Sequence, residues 1–124
     1  MRTPWGQSDH EEQEKPGITW VGTPSHGGYH LDRARQAAVK AKFPWFTSWA
    51  GGPWYEEDCD WCVVVLVFAD EYQGAKDCEG SSILAAAIQT AEIQAKHDRD
   101  GDTGQWRRLK RWLDAEQAQN NLFH

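Results

Sequence analysis

Two histidines, His26 and His30, and two cysteines, Cys59 and Cys62, are the side chains of this sequence best suited to holding a metal ion. Two imidazoles and two thiolates make a ligand set that tetrahedral zinc accepts. Against zinc, the histidine pair comes first in the chain, Glu56, Glu57, Asp58 and Asp60 crowd the cysteines, and no glycine beside them turns a knuckle. Cysteine is also among the most buried residue types when it does no chemistry. The cysteines therefore read first as core thiols, with zinc on His26, His30, Cys59 and Cys62 as the alternative.

Ser25-His26-Gly27-Gly28 sets a nucleophile and a base beside a glycine-rich turn. These are the parts of a small hydrolytic enzyme, although neighbours in sequence rarely act on one another. The glycines are equally expected in a hairpin loop that needs positive φ. Hydrolysis at Ser25 and His26 is thus the alternative to a leading expectation of no catalysis and no cofactor. The carboxylates of Glu56, Glu57, Asp58 and Asp60 offer acid, base or divalent-ion chemistry, but a solvated helix start accounts for them too. Asp98 to Gly104 imitates a calcium loop. Its sixth position is Thr103 and its twelfth is Leu109, where the loop needs glycine and a bidentate glutamate, so it reads as a turn between helices.

Trp45, Phe46, Trp49, Trp54 and Tyr55 crowd around Gly51-Gly52, directly before the acidic run. Aromatic anchors rimmed by charge are the make-up of a protein-binding patch. The expected partner contacts are Trp49, Trp54, Tyr55, Glu56, Glu57, Asp58 and Asp60. The competing expectation is that these rings close over the core.

The elements that must carry these residues follow from local pattern. Residues 1–16 read as a polar segment anchored by Trp5. Gly17 to Gly22 and Tyr29 to Leu31 read as two strands of a hairpin across the turn at 23–28. Asp32 caps a helix from Arg33 to about Lys42, stopped by Pro44. Pro53 with Glu56, Glu57 and Asp58 behind it predicts a helix start, running to about Asp70. The run Val63 to Phe68 is also a strong strand former. Ser81 or Ser82 caps a helix to about His97 with Ile83, Ala87, Ile88 and Ala91 inward, and a last amphipathic helix spans about Gln105 to Gln119. The fold class is α+β: a small N-terminal β-hairpin or sheet packed against three to four helices, one compact domain over 17–119, with 120–124 frayed.

Bulk properties narrow the function. A chain of 124 residues has the size of one domain. Three cysteines are an odd, sparse set for a disulfide framework, which points to a reducing cytoplasm. No apolar stretch approaches a bilayer span, and the N-terminus has no signal-peptide core. Net charge is −6, and the 52–80 stretch carries eight carboxylates against Lys76 alone. Arg107, Arg108, Lys110 and Arg111 form the one basic block. Binding of duplex DNA is not expected as a main activity, since it needs a face that neutralises phosphates. A nucleic-acid partner taken up by 107–111 is a minor alternative, and a homodimer stays open.

Three segments, Thr3-Pro4-Trp5-Gly6, Thr23-Pro24-Ser25-His26-Gly27-Gly28 and Trp54-Tyr55-Glu56-Glu57-Asp58-Cys59-Asp60-Trp61, together resemble an uncharacterised bacterial and phage domain family of unknown function. The resemblance covers roughly the first 70 residues and transfers no catalytic residue. It implies a mobile-element setting, in which small acidic proteins resemble inhibitors of host defence such as anti-CRISPR proteins. The expected function is a non-catalytic phage or plasmid accessory protein in the host cytoplasm. It would bind a host protein or ribonucleoprotein complex through its acidic, aromatic-rich surface, because an acidic patch can occupy a basic groove and gain on-rate by steering.

Overall fold

A computed structural model describes residues 1–98 and 104–119. The chain is α+β and divides into two compact units, Met1–Val64 and Val65–His124. The calcium-like loop from Arg99 to Thr103 and the expected frayed end at 120–124 lie outside the described residues.

The first unit is built on a four-stranded antiparallel sheet. A small hairpin, β1 (Arg2–Thr3) and β2 (Gly6–Gln7), precedes β3 (His10–Lys15), β4 (Ile18–Gly22), β5 (Gly27–Leu31) and β6 (Trp54–Glu56), and the sheet runs in the order β3-β4-β5-β6. The polar segment at 1–16 forms this small hairpin and the edge strand β3. His10 to Lys15 has no apolar face for pattern reading to detect, being exposed or half-buried throughout. Its charges suit an edge, where they discourage pairing with another chain. The β4–β5 hairpin forms as expected, with Ile18 opposite Leu31 and Trp20 opposite Tyr29.

Register assigns the two faces of the sheet. Tyr29 lies opposite Tyr55, and Gly28 and His30 lie opposite Glu56 and Trp54. On the tyrosine side sits α1 (Arg33–Lys42), whose start is capped by Asp32 accepting from the Arg35 N–H. The Tyr55 hydroxyl donates to Gln36 of that helix at 2.7 Å, and burial, aided by the Asp60 charge and opposed by the Gln36 contact, pushes its pKa up to about 12. Ile18, Leu31, Val39, Phe43 and Phe46 are buried as well, while Val21, opposite Gly28, is buried on the other face.

Gly28 is required by proximity. A Cβ there would stand 2.3 Å from the Tyr55 carbonyl oxygen and 2.8 Å from the Trp5 ring. Gly27 and Gly28 lie in strand β5, outside the positive-φ set, so the loop reading of these glycines is corrected: they clear space for a neighbouring strand and an indole.

The helix expected over Pro53 to Asp70 is broken into three pieces. Trp54–Glu56 is strand β6, α2 spans Trp61–Val67, and a 3-10 turn follows at Ala69–Tyr72. Pairing with β5 satisfies the backbone of 54–56, which overrides the first-turn carboxylates. Cys62, Val63, Val64, Val65 and Leu66 are all buried. A helix sealed on every side shows no polar stripe, which is why this run resembles a strand in sequence.

In the second unit, α3 (Ile83–Lys96) and α4 (Gln105–Ala118) pack together. Ser82 caps α3 by accepting from the Ala85 N–H, and Leu84, Ala87, Ile88 and Ala91 are buried. Leu84, not Ile83, is the inward residue of its first turn. On α4, Leu109 and Leu113 are buried, with Trp106 and Trp112 half-covered.

Candidate functional site

Strand β6 ends by delivering Glu56 into the turn that starts α2. Its carboxylate accepts the backbone N–H groups of Asp58 at 2.6 Å, Cys59 at 2.8 Å and Asp60 at 3.1 Å, and the Cys59 thiol donates to it at 2.9 Å. Burial opposes its charge, but the thiol and the three N–H groups outweigh that and hold its pKa below the ordinary range. Four donors on one carboxylate fix this turn, since hydrogen bonds to an ionised acceptor are the strong kind.

Asp60 lies one residue before α2 and is 2% exposed. Its Oδ2 accepts the Trp49 N–H at 2.7 Å, while the Cys59 sulfur is a longer 3.8 Å from Oδ1. Burial pushes its pKa up to about 6, reinforced by the Glu56 charge and opposed by the Trp49 N–H. Burial and the Glu56 contact likewise push the Cys59 thiol up, and burial does the same to Cys62. Both sulfurs stay protonated, whereas thiolate is the nucleophile and the metal ligand. Glu56, Cys59 and Asp60 have ligand atoms within 4.8 Å of one another. The hydrogen bonds just described already engage all three.

Asp60 also organises the loop at 43–53. The Trp49 backbone is held by Asp60, the Phe46 carbonyl takes the Lys40 ammonium at 2.6 Å, and Ser48 Oγ accepts the Gly51 N–H at 3.1 Å. On this fastened backbone the Trp49 side chain is 83% exposed. Glu57 and Asp58, at the outer side of the neighbouring turn, are exposed as well.

The expected contact face thus divides. Trp49, Glu57 and Asp58 are exposed, and Trp54 is half-buried. Tyr55, Glu56 and Asp60 are buried and hydrogen-bonded inside the unit, so they are corrected from contact residues to supports. Trp54 itself packs edge-on to Trp5 at 5.7 Å and against His30 at 4.5 Å. Lys40 and Ser48 also fasten the loop through partners only six and three residues away; a serine or lysine near a glycine-rich loop is too common a pattern for the sequence to single them out.

The imidazoles and thiols are not brought together. His30 is a stacking partner of Trp54, with its pKa lowered by burial against the pull of Asp32. His26 is exposed on the β4–β5 turn, which is closed by Thr23 Oγ1 donating to the His26 carbonyl and accepting the His26 N–H. Among the described residues, neither histidine joins a group of three close ligand atoms, so the His26, His30, Cys59, Cys62 site is not assembled. Ser25 is exposed beside His26 on the same turn.

An antiparallel sheet bearing an acid-fastened aromatic loop, followed by a helical pair, defines the class: a small α+β domain with an exposed indole on a hydrogen-bonded loop. Residues 1–120 match the family described as a domain of unknown function, DUF7007, and the chain belongs to it. No curated protein and no solved structure gives a significant match. No helix among the described residues is long and apolar enough to cross a membrane.

Proposed function

We propose that this chain is a non-catalytic protein-binding module whose contact centres on Trp49, flanked by Glu57, Asp58 and the accessible part of Trp54. The observation that supports it most is an indole left 83% exposed on a backbone held by buried Asp60. Leaving so large an apolar ring in water is unfavourable, and a pre-ordered anchor loses less entropy when a partner covers it. Tryptophan is also enriched among the residues that dominate binding energy.

The flanking carboxylates favour a basic partner surface, such as the nucleic-acid groove of a host protein or ribonucleoprotein complex. In the mobile-element setting of the resembling family, the module acts in the host cytoplasm as an accessory protein that inhibits host defence, as anti-CRISPR proteins do. It works without a cofactor, and stoichiometric zinc in elemental analysis of the purified protein would overturn that part.

The test is capture from a host lysate with the wild-type chain, Trp49→Ala and the Glu57→Lys/Asp58→Lys pair, read by mass spectrometry. A partner retained by the wild type is expected to be lost with Trp49→Ala and weakened with the charge reversal. Retention unchanged by both variants removes the assignment of this surface.

A further inference from the structure

The second unit carries a different kind of surface. A cleft of about 460 Å³ lies between α3 and α4, lined by Glu92, Ala95, Lys96, Arg107, Lys110 and Arg111. Its lining therefore holds four cations and one carboxylate, in a chain whose net charge is −6. The helical repeat explains the convergence: Arg107, Lys110 and Arg111 are spaced i, i+3 and i+4 on α4, so they share a side. Arg108 of the same basic block does not line the cleft. The tertiary pairing of the helices then adds Lys96 from α3.

The cleft is partly pre-organised. Arg107 donates its guanidinium to the Asp98 carbonyl, and its backbone N–H is accepted by Asp98 Oδ2 at 3.1 Å. The guanidinium contact is to a neutral carbonyl, and it orients the group along the cleft wall. Lys110 is shared between Glu92 at 3.7 Å and Asp114. Among the described residues no carboxylate pairs with Lys96 or Arg111, which stand exposed at the rim.

We infer that this cleft binds a phosphate-bearing small molecule of nucleotide size. Guanidinium forks match phosphate oxygens in two-point contacts, while ammonium groups supply point charge. The volume falls in the roughly 300–1,000 Å³ range of small-molecule sites. A long nucleic acid would need a continuing basic track beyond the cleft, whereas this chain is acidic in sum. The site is independent of the Trp49 surface and stands or falls separately from it.

Isothermal titration calorimetry of the full chain at low salt tests the inference with inorganic phosphate, pyrophosphate and ATP. One-to-one binding of pyrophosphate or ATP is expected, weakening several-fold as salt is raised. Lys96→Ala/Arg111→Ala is expected to lower affinity at least about tenfold, equal to about 1.4 kcal/mol, with Arg108→Ala unchanged. Circular dichroism checks that each variant keeps its helices. ATP binding much tighter than pyrophosphate identifies a nucleotide; equal binding identifies the phosphate group itself as the ligand. No heat at millimolar ligand, or equal loss with Arg108→Ala, overturns the site. Binding of a single-stranded oligonucleotide that strengthens with length beyond a few bases also overturns it, in favour of a nucleic-acid track.

Discussion

Within one acidic turn, neighbouring carboxylates have opposite fates. Glu56 and Asp60 are buried and spend their oxygens on backbone N–H groups, whereas Glu57 and Asp58 stand in solvent. The same contrast separates Tyr55, stacked against Phe46 at 6.5 Å, from Trp49, which is left outside. The inner set builds the platform, and the outer set is what a partner can reach. Identical side-chain chemistry thus carries two jobs, and only geometry tells them apart.

The sharpest way to break this division is Glu56→Ala. It orphans three backbone donors and a thiol, and a loss of about 4 kcal/mol in unfolding free energy is expected from denaturant titration. Gly28→Ala comes next, at about 3 kcal/mol, because the added methyl meets the Tyr55 carbonyl and the Trp5 ring and must spread β5 from β6.

Asp60 gives a test with a sign. Its folded pKa, about 6, is raised above the ordinary carboxylate value, so the folded state binds more protons than the unfolded one between the two values. Its contribution to stability therefore falls as pH rises from about 4 to about 6. Glu56, with a depressed pKa, acts in reverse: its contribution is present above the ordinary carboxylate range and is lost as pH drops below it. Asp60→Asn keeps an acceptor for the Trp49 N–H and removes the titration. The variant should be about 2 kcal/mol more stable than wild type at pH 7, with the difference vanishing near pH 4. A constant difference across that range would contradict the burial argument.

The smallest effect on the fold is expected outside. Trp49→Ala should change unfolding free energy by less than about 0.5 kcal/mol, as surface substitutions do. A cost above about 2 kcal/mol would show that Trp49 belongs with the inner set.

Much of the scaffold was legible in the sequence. The β4–β5 hairpin, α1 with its Asp32 cap, α3 with its Ser82 cap and α4 all follow from turn residues, caps and apolar spacing. The 54–60 segment was misread because carboxylates behind a proline are the ordinary start of a helix, while strand β6 depends on β5, a partner distant in sequence. The 10–15 edge strand escapes pattern reading for another reason: its partner β4 is the next strand, but its own residues are exposed or half-buried and carry no alternating apolar face. At the site, residue types were right and their directions were not. The sequence placed seven side chains on one surface, and tertiary packing turned Tyr55, Glu56 and Asp60 inward.

By itself, then, the sequence determined local structure wherever a residue's reasons lie within a few positions: the Asp32 and Ser82 caps, the apolar spacing of the helices and the i, i+4 spacing of the basic block on α4. Tertiary structure alone decided which carboxylates are buried, why Gly28 must lack a side chain, and that Lys96 meets Arg107 and Arg111 across a cleft. Burial and charge convergence depend on groups brought close in space by pairing of distant segments, and local pattern carries no record of that distance.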